Sequence, residues 1–399
     1  MESSKLDRRT WLKTSLIAAG GLVLAPKISL SAPVKSSIPA IKTPAKSIIW
    51  EVDHPSYHNA EPKLKARLNA NENPYGPSPA VSKAILEAIS LGNRYGHGDA
   101  AILIGLIAEK EGVKPENIML GPGSTDLLEK TAISLFLKGG NVVSADPSYM
   151  SLINTAQAVG AEWKPVPLTA DYAHDLPAME AAVDDKTQLV YVCNPNNPTA
   201  SLTDANKLRS FCSKVSDKVP VFVDEAYLDF LDNPKASSMV DLVAKGKDVI
   251  IARTFSKIHS MAGLRIGYIV ATPERIKSIT DIVRSTMGLC VTSIKGAIAS
   301  LKDDSFAAKC KTLNTEGRNY LSGELQKLNY TCIPSYTNFV LFPLKEKENA
   351  DPRSFYKALA DRGVGIRIFN IASKNWGRVS VGTMEELRLF SSVFKEVVS

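Results

Sequence analysis

An α/β fold, with a mainly parallel seven-stranded large domain and a smaller α+β domain, follows from three features of the sequence. Seven short apolar runs recur, each ending in small or polar residues: NIML at 117, NVVSA at 141, EWKPVPL at 162, QLVYVC at 188, VPVFVDEA at 219, DVIIART at 248 and RIGYIVA at 265. Amphipathic stretches such as STDLLEKTAISLFL and TDANKLRSFCSKV lie between most of them, and strands alternating with helices imply a parallel sheet covered on both faces. After about residue 290 the texture changes to a long helical region followed by TCIPSYTNFVLFPL. A helix opened by DPRSFYKALA, with Pro352 in its first turn, then precedes two short strands in VGIRI and RVSVG and a final helix.

The 399 residues, 44% of them hydrophobic, suffice for two cores. The net charge of +7 is concentrated at the N-terminus, where residues 1–48 hold eight Lys or Arg against Glu2 and Asp7. The remainder is close to neutral, which gives no reason to expect a nucleic acid partner. The start, MESSKLDRRTWLKTSLIAAGGLVLAPKISLSAP, has a basic head, an apolar run from Leu16 to Ala25 and then small residues, the layout of a secretion signal. Its DRRTWLK is similar to a twin-arginine export signal, which predicts a periplasmic or exported protein that uses that machinery. Left uncut, the leader would tether the protein to the membrane. The expected layout is a leader over 1–31, a Pro-, Ser- and Lys-rich tether over 32–48, an arm over 49–92 that joins the small domain, the large domain over 93–290 and the small domain over 291–399. The five cysteines show neither a C-x-x-C pair nor a metal-ligand spacing.

Four segments carry candidate chemistry. In RTFSKIHSMAGLRIGY, Lys257 stands at a strand end between Ser256 and Arg265. An amine desolvated there and near another cation has its pKa lowered and becomes a nucleophile toward an aldehyde. Ser256 and Arg265 then suit a phosphate on that aldehyde, the arginine through its fork of donors. GPGSTDLLEK, 121–130, opens a helix after a strand. Its backbone N–H groups and the Ser124 and Thr125 hydroxyls suit a second side of the phosphate, although Ser124 could equally be an ordinary N-cap. CNPNNPTA, 193–200, holds Asn194, Asn196 and Asn197 in a turn from which a carboxamide can be aimed. VFVDEAYLDF places Asp224 and Glu225 at the carboxyl end of a strand, where ligands of open α/β sheets sit, so Asp224 is a candidate ion partner.

Together with ANENPYGPSP at 70, RYGHG at 94, DPSY at 146, NFVLF at 338 and RVSVGT at 378, these segments occur in the order and spacing of a known family. The chain resembles the pyridoxal-phosphate-dependent aminotransferases of fold type I over roughly residues 65–395, and within them the histidinol-phosphate aminotransferase subfamily. The resemblance implies pyridoxal 5'-phosphate as cofactor, with Lys257 bonding its aldehyde and later moving the substrate α-proton. Asp224 would pair with the pyridine nitrogen, Tyr227 and Asn197 would meet the phenolic oxygen, and Tyr149 would stack on the ring. Ser124, Thr125, Ser256 and Arg265 would grip the phosphate, joined by Tyr95 from the other subunit of a homodimer. Arg378 would clamp the substrate α-carboxylate, with Asn71 and Arg367 also on the substrate.

Three positions depart from the family pattern. Ala200 stands where glycine usually ends the asparagine-proline turn, and RYGHG lacks the proline that often follows its tyrosine. In GVGIRIFN, Phe369 takes the place of an arginine that grips phosphate in histidinol-phosphate enzymes, with Arg367 about 6–7 Å back along the strand on the same face. The expectation is therefore an enzyme exchanging an amino group between an amino acid and a 2-oxo acid, with histidinol phosphate disfavoured as a substrate. A decarboxylase, lyase or cyclase on the same scaffold is the alternative. An exported binding protein is a further one, against which the intact Lys257 and Asp224 argue.

Overall fold

The structure, a computed structural model, describes residues 63–284 and 288–399, with residues 50–51 as backbone only. The leader, the tether and most of the arm before residue 63 lie outside the described residues. The seven predicted apolar runs form one sheet: β3 (Ile118–Gly121), β4 (Asn141–Asp146), β5 (Glu162–Pro167), β6 (Thr187–Cys193), β7 (Val221–Asp224), β8 (Val249–Thr254) and β9 (Gly267–Val270). Their order is β3-β9-β8-β7-β6-β4-β5, parallel except for β9, which runs against both neighbours. Strands β3, β4, β7, β8 and β9 are buried at every residue, which is why they are written as unbroken apolar runs.

The period of two then divides these runs between two cores. Val190, Val192, Val221, Val223 and Ile251 face helices His97–Glu111, Ala205–Val215 and Val291–Leu301. Leu189, Tyr191, Cys193, Phe222, Ile250 and Ala252 face helices Ser124–Phe136 and Ser151–Ala158. Asp224 follows the register of Phe222, and Glu225 that of Val223, so these adjacent acids belong to opposite faces. Glu225 goes to the guanidinium of Arg253, whose Nε donates to Oε2 at 2.8 Å. Arg253 also lies 3.5 Å from Glu111, which accepts from the Tyr268 hydroxyl at 2.6 Å. This buried ion cluster ties β7, β8, β9 and helix His97–Glu111 together directly behind the residues of the candidate site, and removing Arg253 would leave Glu225 and Glu111 without the cation between them.

A second, antiparallel sheet has the order β1 (Trp50–Glu51), β12 (Arg367–Ile371), β13 (Lys374–Ser380), β10 (Phe339–Pro343). Two further short strands, β2 (Ala66–Arg67) and β11 (Val364–Gly365), pair in parallel. Leu321 and Leu325 of helix Asp304–Lys327 and Phe390 and Phe394 of helix Met384–Val398 fill its core. Helix Pro352–Ala360 begins as expected, with the Asp351 carboxylate accepting from Ser354 N at 3.0 Å and Pro352 in the first turn. Residues 291–301 pack elsewhere than their sequence grouping suggests. Ile294 and Ala297 enter the core of the large sheet, so the change of core falls between that helix and helix Asp304–Lys327. An amphipathic helix looks the same from sequence whichever sheet it covers. Among the described residues no helix is long and apolar enough to cross a membrane.

Candidate active site

The carboxyl ends of β4, β6, β7 and β8 and one face of the small sheet enclose a cavity of about 850 Å³. Of the residues singled out from sequence, Asn71, Ser124, Thr125, Tyr149, Asn197, Asp224, Tyr227, Ser256, Lys257, Arg265, Arg367 and Arg378 all line it. Tyr95 does not. It is 76% exposed and sits beside His97 on the outer surface.

The Lys257 amine donates to the Asn71 carbonyl at 2.9 Å and lies 5.5 Å from the Tyr227 ring centre. Desolvation, reinforced by the Arg378 charge, lowers its pKa to about 8. Asn71, expected to touch substrate, has its side chain already engaged. Its Nδ2 donates to the Tyr227 hydroxyl at 3.0 Å and its Oδ1 accepts from Ser380 Oγ at 3.0 Å. With φ at 52° and its carbonyl also held by Asn338 Nδ2, Asn71 is a junction that sets Lys257 and Tyr227 from the small-sheet side.

Asp224 is 3% exposed, and burial raises its carboxyl to about 6. Its Oδ1 accepts from Ala226 N at 3.1 Å and its Oδ2 from the Tyr191 hydroxyl at 3.4 Å. Sequence reading missed Tyr191. The only available signal was its phase: it shares a face of the sheet with Cys193, and Cys193 pairs in register with Asp224.

The phosphate cradle expected at residue 124 has a clear local cause. Helix Ser124–Phe136 starts with Gly123 at its N-cap, at φ 90°, and no side chain caps it. Ser124 is therefore the first helical residue and not the cap, and the first-turn N–H groups remain available to an anion. A Cβ on Gly123 would run into the Arg265 guanidinium, so glycine is needed for the arginine to close over the helix end. Arg265 reaches Ser256 Oγ at 3.5 Å, and the Thr125 hydroxyl meets the Tyr149 hydroxyl at 3.1 Å.

In CNPNNPTA the three asparagines divide their work. Asn194 binds Thr203 N at 2.9 Å, and Asn196 holds Pro147 O at 3.0 Å and Thr199 Oγ1 at 2.8 Å, so both build the turn. Asn197 faces the cavity and accepts from Arg378 NH1 at 2.8 Å. Ala200 keeps the left-handed backbone that a glycine would have there, at φ 63°, and buries its methyl beside Tyr227 and Phe339.

On the small sheet, Arg367 is the cross-strand partner of Arg378, so the two arginines stand side by side on one face. Distance along the strand thus understates how near Arg367 comes. Phe369 lies 4.9 Å, by ring centre, from the Arg378 guanidinium, and Phe339 lies 5.2 Å from it.

An uncapped helix N-terminus closed by an arginine, a buried carboxylate and a desolvated lysine amine, all at strand ends of this sheet, fit pyridoxal phosphate group by group. They define a pyridoxal-phosphate site on a fold type I frame. Residues 63–393 match the family described as aminotransferase class I and II. The chain is 35% identical over 335 residues to the histidinol-phosphate aminotransferase of Moorella thermoacetica, covering 84% of this chain and 85% of that one. It is 34% identical over 334 residues to that of Brevibacillus brevis, covering 84% and 90%. The crystal structure of histidinol-phosphate aminotransferase from Sinorhizobium meliloti in complex with pyridoxal-5'-phosphate aligns with a TM-score of 0.77 at 28% identity, over 84% of this chain and 91% of that one. The chain belongs to the class I and II aminotransferases, and is a pyridoxal-phosphate-dependent enzyme.

Proposed function

We propose that this enzyme moves an amino group between an amino acid and a 2-oxo acid, as a homodimer and after export. The observation that carries the reading is the Lys257 amine, with its pKa lowered to about 8, in one cavity with Asp224 and the cationic wall of Arg378 and Arg367. The cofactor, when bound, supplies an electron sink for the α-carbon. Ser124, Thr125, Ser256 and Arg265 would hold its phosphate, Tyr149 its ring face, Asp224 its ring nitrogen, and Tyr227 with Asn197 its phenolic oxygen. Arg378 orients the substrate by its carboxylate, and Lys257, with an appreciable neutral fraction near neutral pH, takes and returns the α-proton.

Histidinol phosphate as the amino donor is the second reading. It is favoured by the names of the relatives and by Arg367 standing opposite Arg378, where two guanidinium groups could share a phosphate. Titrating holoprotein with amino acids and with histidinol phosphate separates the two. The bound cofactor's absorption should shift with the true donor and return when a 2-oxo acid is added. A shift that no oxo acid reverses would indicate decarboxylation or elimination, and no shift with any amine would sink the proposal.

Homodimer formation is supported by Leu86, Ile89, Leu91 and Ile102, exposed apolar side chains on successive helical segments, and by the exposed Tyr95 in the loop between them. Tyr95 is then free to reach a neighbouring subunit's cavity. Export rests on the leader alone. Sizing the holoprotein and fractionating cells that make the full chain test both parts, and a monomer or a cytoplasmic protein would overturn the corresponding one.

A further inference from the structure

Asn71 is held from both sheets, and one of the side chains that hold it lies outside the lining of the cavity. On the small-sheet side, Asn71 N donates to Ser380 Oγ at 2.8 Å, and Asn71 Oδ1 accepts from the same hydroxyl at 3.0 Å. Asn338, immediately before β10, donates through Nδ2 to the carbonyls of Asn71 and Glu72 at 3.0 and 3.2 Å. On the large-sheet side, the same Asn71 carbonyl accepts from the Lys257 amine at 2.9 Å, and Asn71 Nδ2 donates to the Tyr227 hydroxyl at 3.0 Å.

A carbonyl oxygen has two lone pairs. At Asn71 one meets Lys257 and the other Asn338, so the carboxamide fixes the direction from which the oxygen receives the amine. Its own orientation is settled by chemistry, because turning it over would press Oδ1 against two carbonyl oxygens. As it stands, both contacts fall to Nδ2, and Oδ1 is buried without a hydrogen-bond partner among the described residues. A carboxamide 2% exposed that leaves its oxygen unpaired is a poor choice for stability alone, since an apolar side chain of the same shape would carry no such penalty. Asn338 is also firmly anchored: its carbonyl accepts from Val381 N, just past β13, at 2.7 Å. Asn71, by contrast, has φ at 52°, in the sparsely used left-handed region, and depends on its partners to stay there.

A lysine that takes a proton and returns it must bring a long, flexible side chain back to one point. We propose that Asn338 is a positioning residue for Lys257, holding the Asn71 and Glu72 carbonyls so that the amine keeps one place during proton transfer. This rests on the aminotransferase reading above and adds to it a residue that acts from outside the cavity. The charged groups acting on Lys257 are Arg378, Glu72, Arg265 and Asp224, and Glu72 belongs to the segment that Asn338 holds. Losing Asn338 therefore releases two groups that favour the charged amine, the Asn71 carbonyl and the Glu72 carboxylate.

Asn338→Leu keeps the branched outline and removes every polar atom of the side chain, so it tests hydrogen bonding apart from packing. In the cofactor-free protein, trace acetylation of Lys257 by acetic anhydride, followed over pH by peptide mapping, reads the amine's titration without any turnover. The wild-type midpoint should lie at about 8, and the variant's should lie lower, because the amine loses an acceptor and the steady position of the Glu72 carboxylate. A general loosening would admit water and move it the other way, toward the ordinary 10.5. In holoenzyme, given the amino donor found by the titration above, the single-turnover change in cofactor absorption should slow about tenfold to a hundredfold, the cost of misplacing a reacting group by about 1 Å. The half-saturating concentration should stay within about twofold. If the leucine variant does not fold, Asn338→Ala, which introduces no new contact, takes its place in both measurements. A midpoint that stays or rises, a single-turnover rate within about twofold of wild type, or equal changes in rate and half-saturation would each overturn the assignment. Failure of the aminotransferase reading itself looks different: the wild-type cofactor would respond to no amino acid, while the acetylation midpoint would still report on Asn338.

Discussion

Lys257→Met abolishes turnover and, in the cofactor-free protein at neutral pH, raises stability. The loss of turnover should be about ten-thousandfold or more, the upper range for removing a positioned general base, because no other described amine in the cavity donates to Asn71 O as Lys257 does. Borohydride should fix the cofactor to the wild-type peptide that contains Lys257 and to no peptide of the variant. The gain in stability comes from the same desolvation that makes the amine reactive. The folded-state pKa is about 8 against an ordinary lysine value of 10.5. Below pH 8 the amine is charged in both states, and the folded protein bears the whole cost of burying that charge. Between about 8 and 10.5 the unfolded chain keeps a proton that the folded one has released, so wild-type stability rises with pH across that window. The variant has no such group. Cofactor-free Lys257→Met should therefore exceed wild type by on the order of 3 kcal/mol at pH 7, with the gap closing as pH rises toward 10.5. Denaturant curves at pH 7 and pH 10 measure it. A constant gap would mean that the amine is not desolvated.

The large sheet was legible because burial on both faces writes each parallel strand as an unbroken apolar run, and all seven runs became strands of one sheet. Two-residue strands such as β2, pairing with β11 almost three hundred residues away, leave no periodicity to read. Within the site, side chains whose chemistry is intrinsic were legible: an amine, a carboxylate and a guanidinium next to glycines. Residues that act by position were not. Asn71 reads as one more polar residue in a loop, and its place under Lys257 depends on partners 156 and 309 positions away, Tyr227 and Ser380. Tyr191 reads as core until its register beside Asp224 is known. Arg367 and Phe369 show the limit most directly. Spacing along one strand kept Arg367 away from the anion, whereas pairing across strands brings it opposite Arg378.

Asp224→Asn should move stability and function in opposite directions. The wild-type carboxyl titrates at about 6 in the folded protein against an ordinary value of 3.8, because it is buried, with hydrogen bonds from Ala226 N and the Tyr191 hydroxyl offsetting only part of that cost. The other charged or titratable groups acting on it are Lys257, which favours the ionised form, and Glu225, which opposes it. Below pH 3.8 the group is neutral in both states and costs nothing. As pH rises through 6 the folded protein must accept a buried charge, and that part of its stability is lost. Asparagine never ionises, so the cofactor-free variant should be more stable at pH 7 by on the order of 3 kcal/mol, with no difference near pH 3.5. Function should fall over the same interval. A carboxylate facing a protonated ring nitrogen is an oriented charge in a water-poor site, and its removal should lower kcat by about a hundredfold to a thousandfold and weaken cofactor retention on dialysis. A variant that is less stable at pH 7 and still turns over would show that Asp224 serves the fold and not the cofactor.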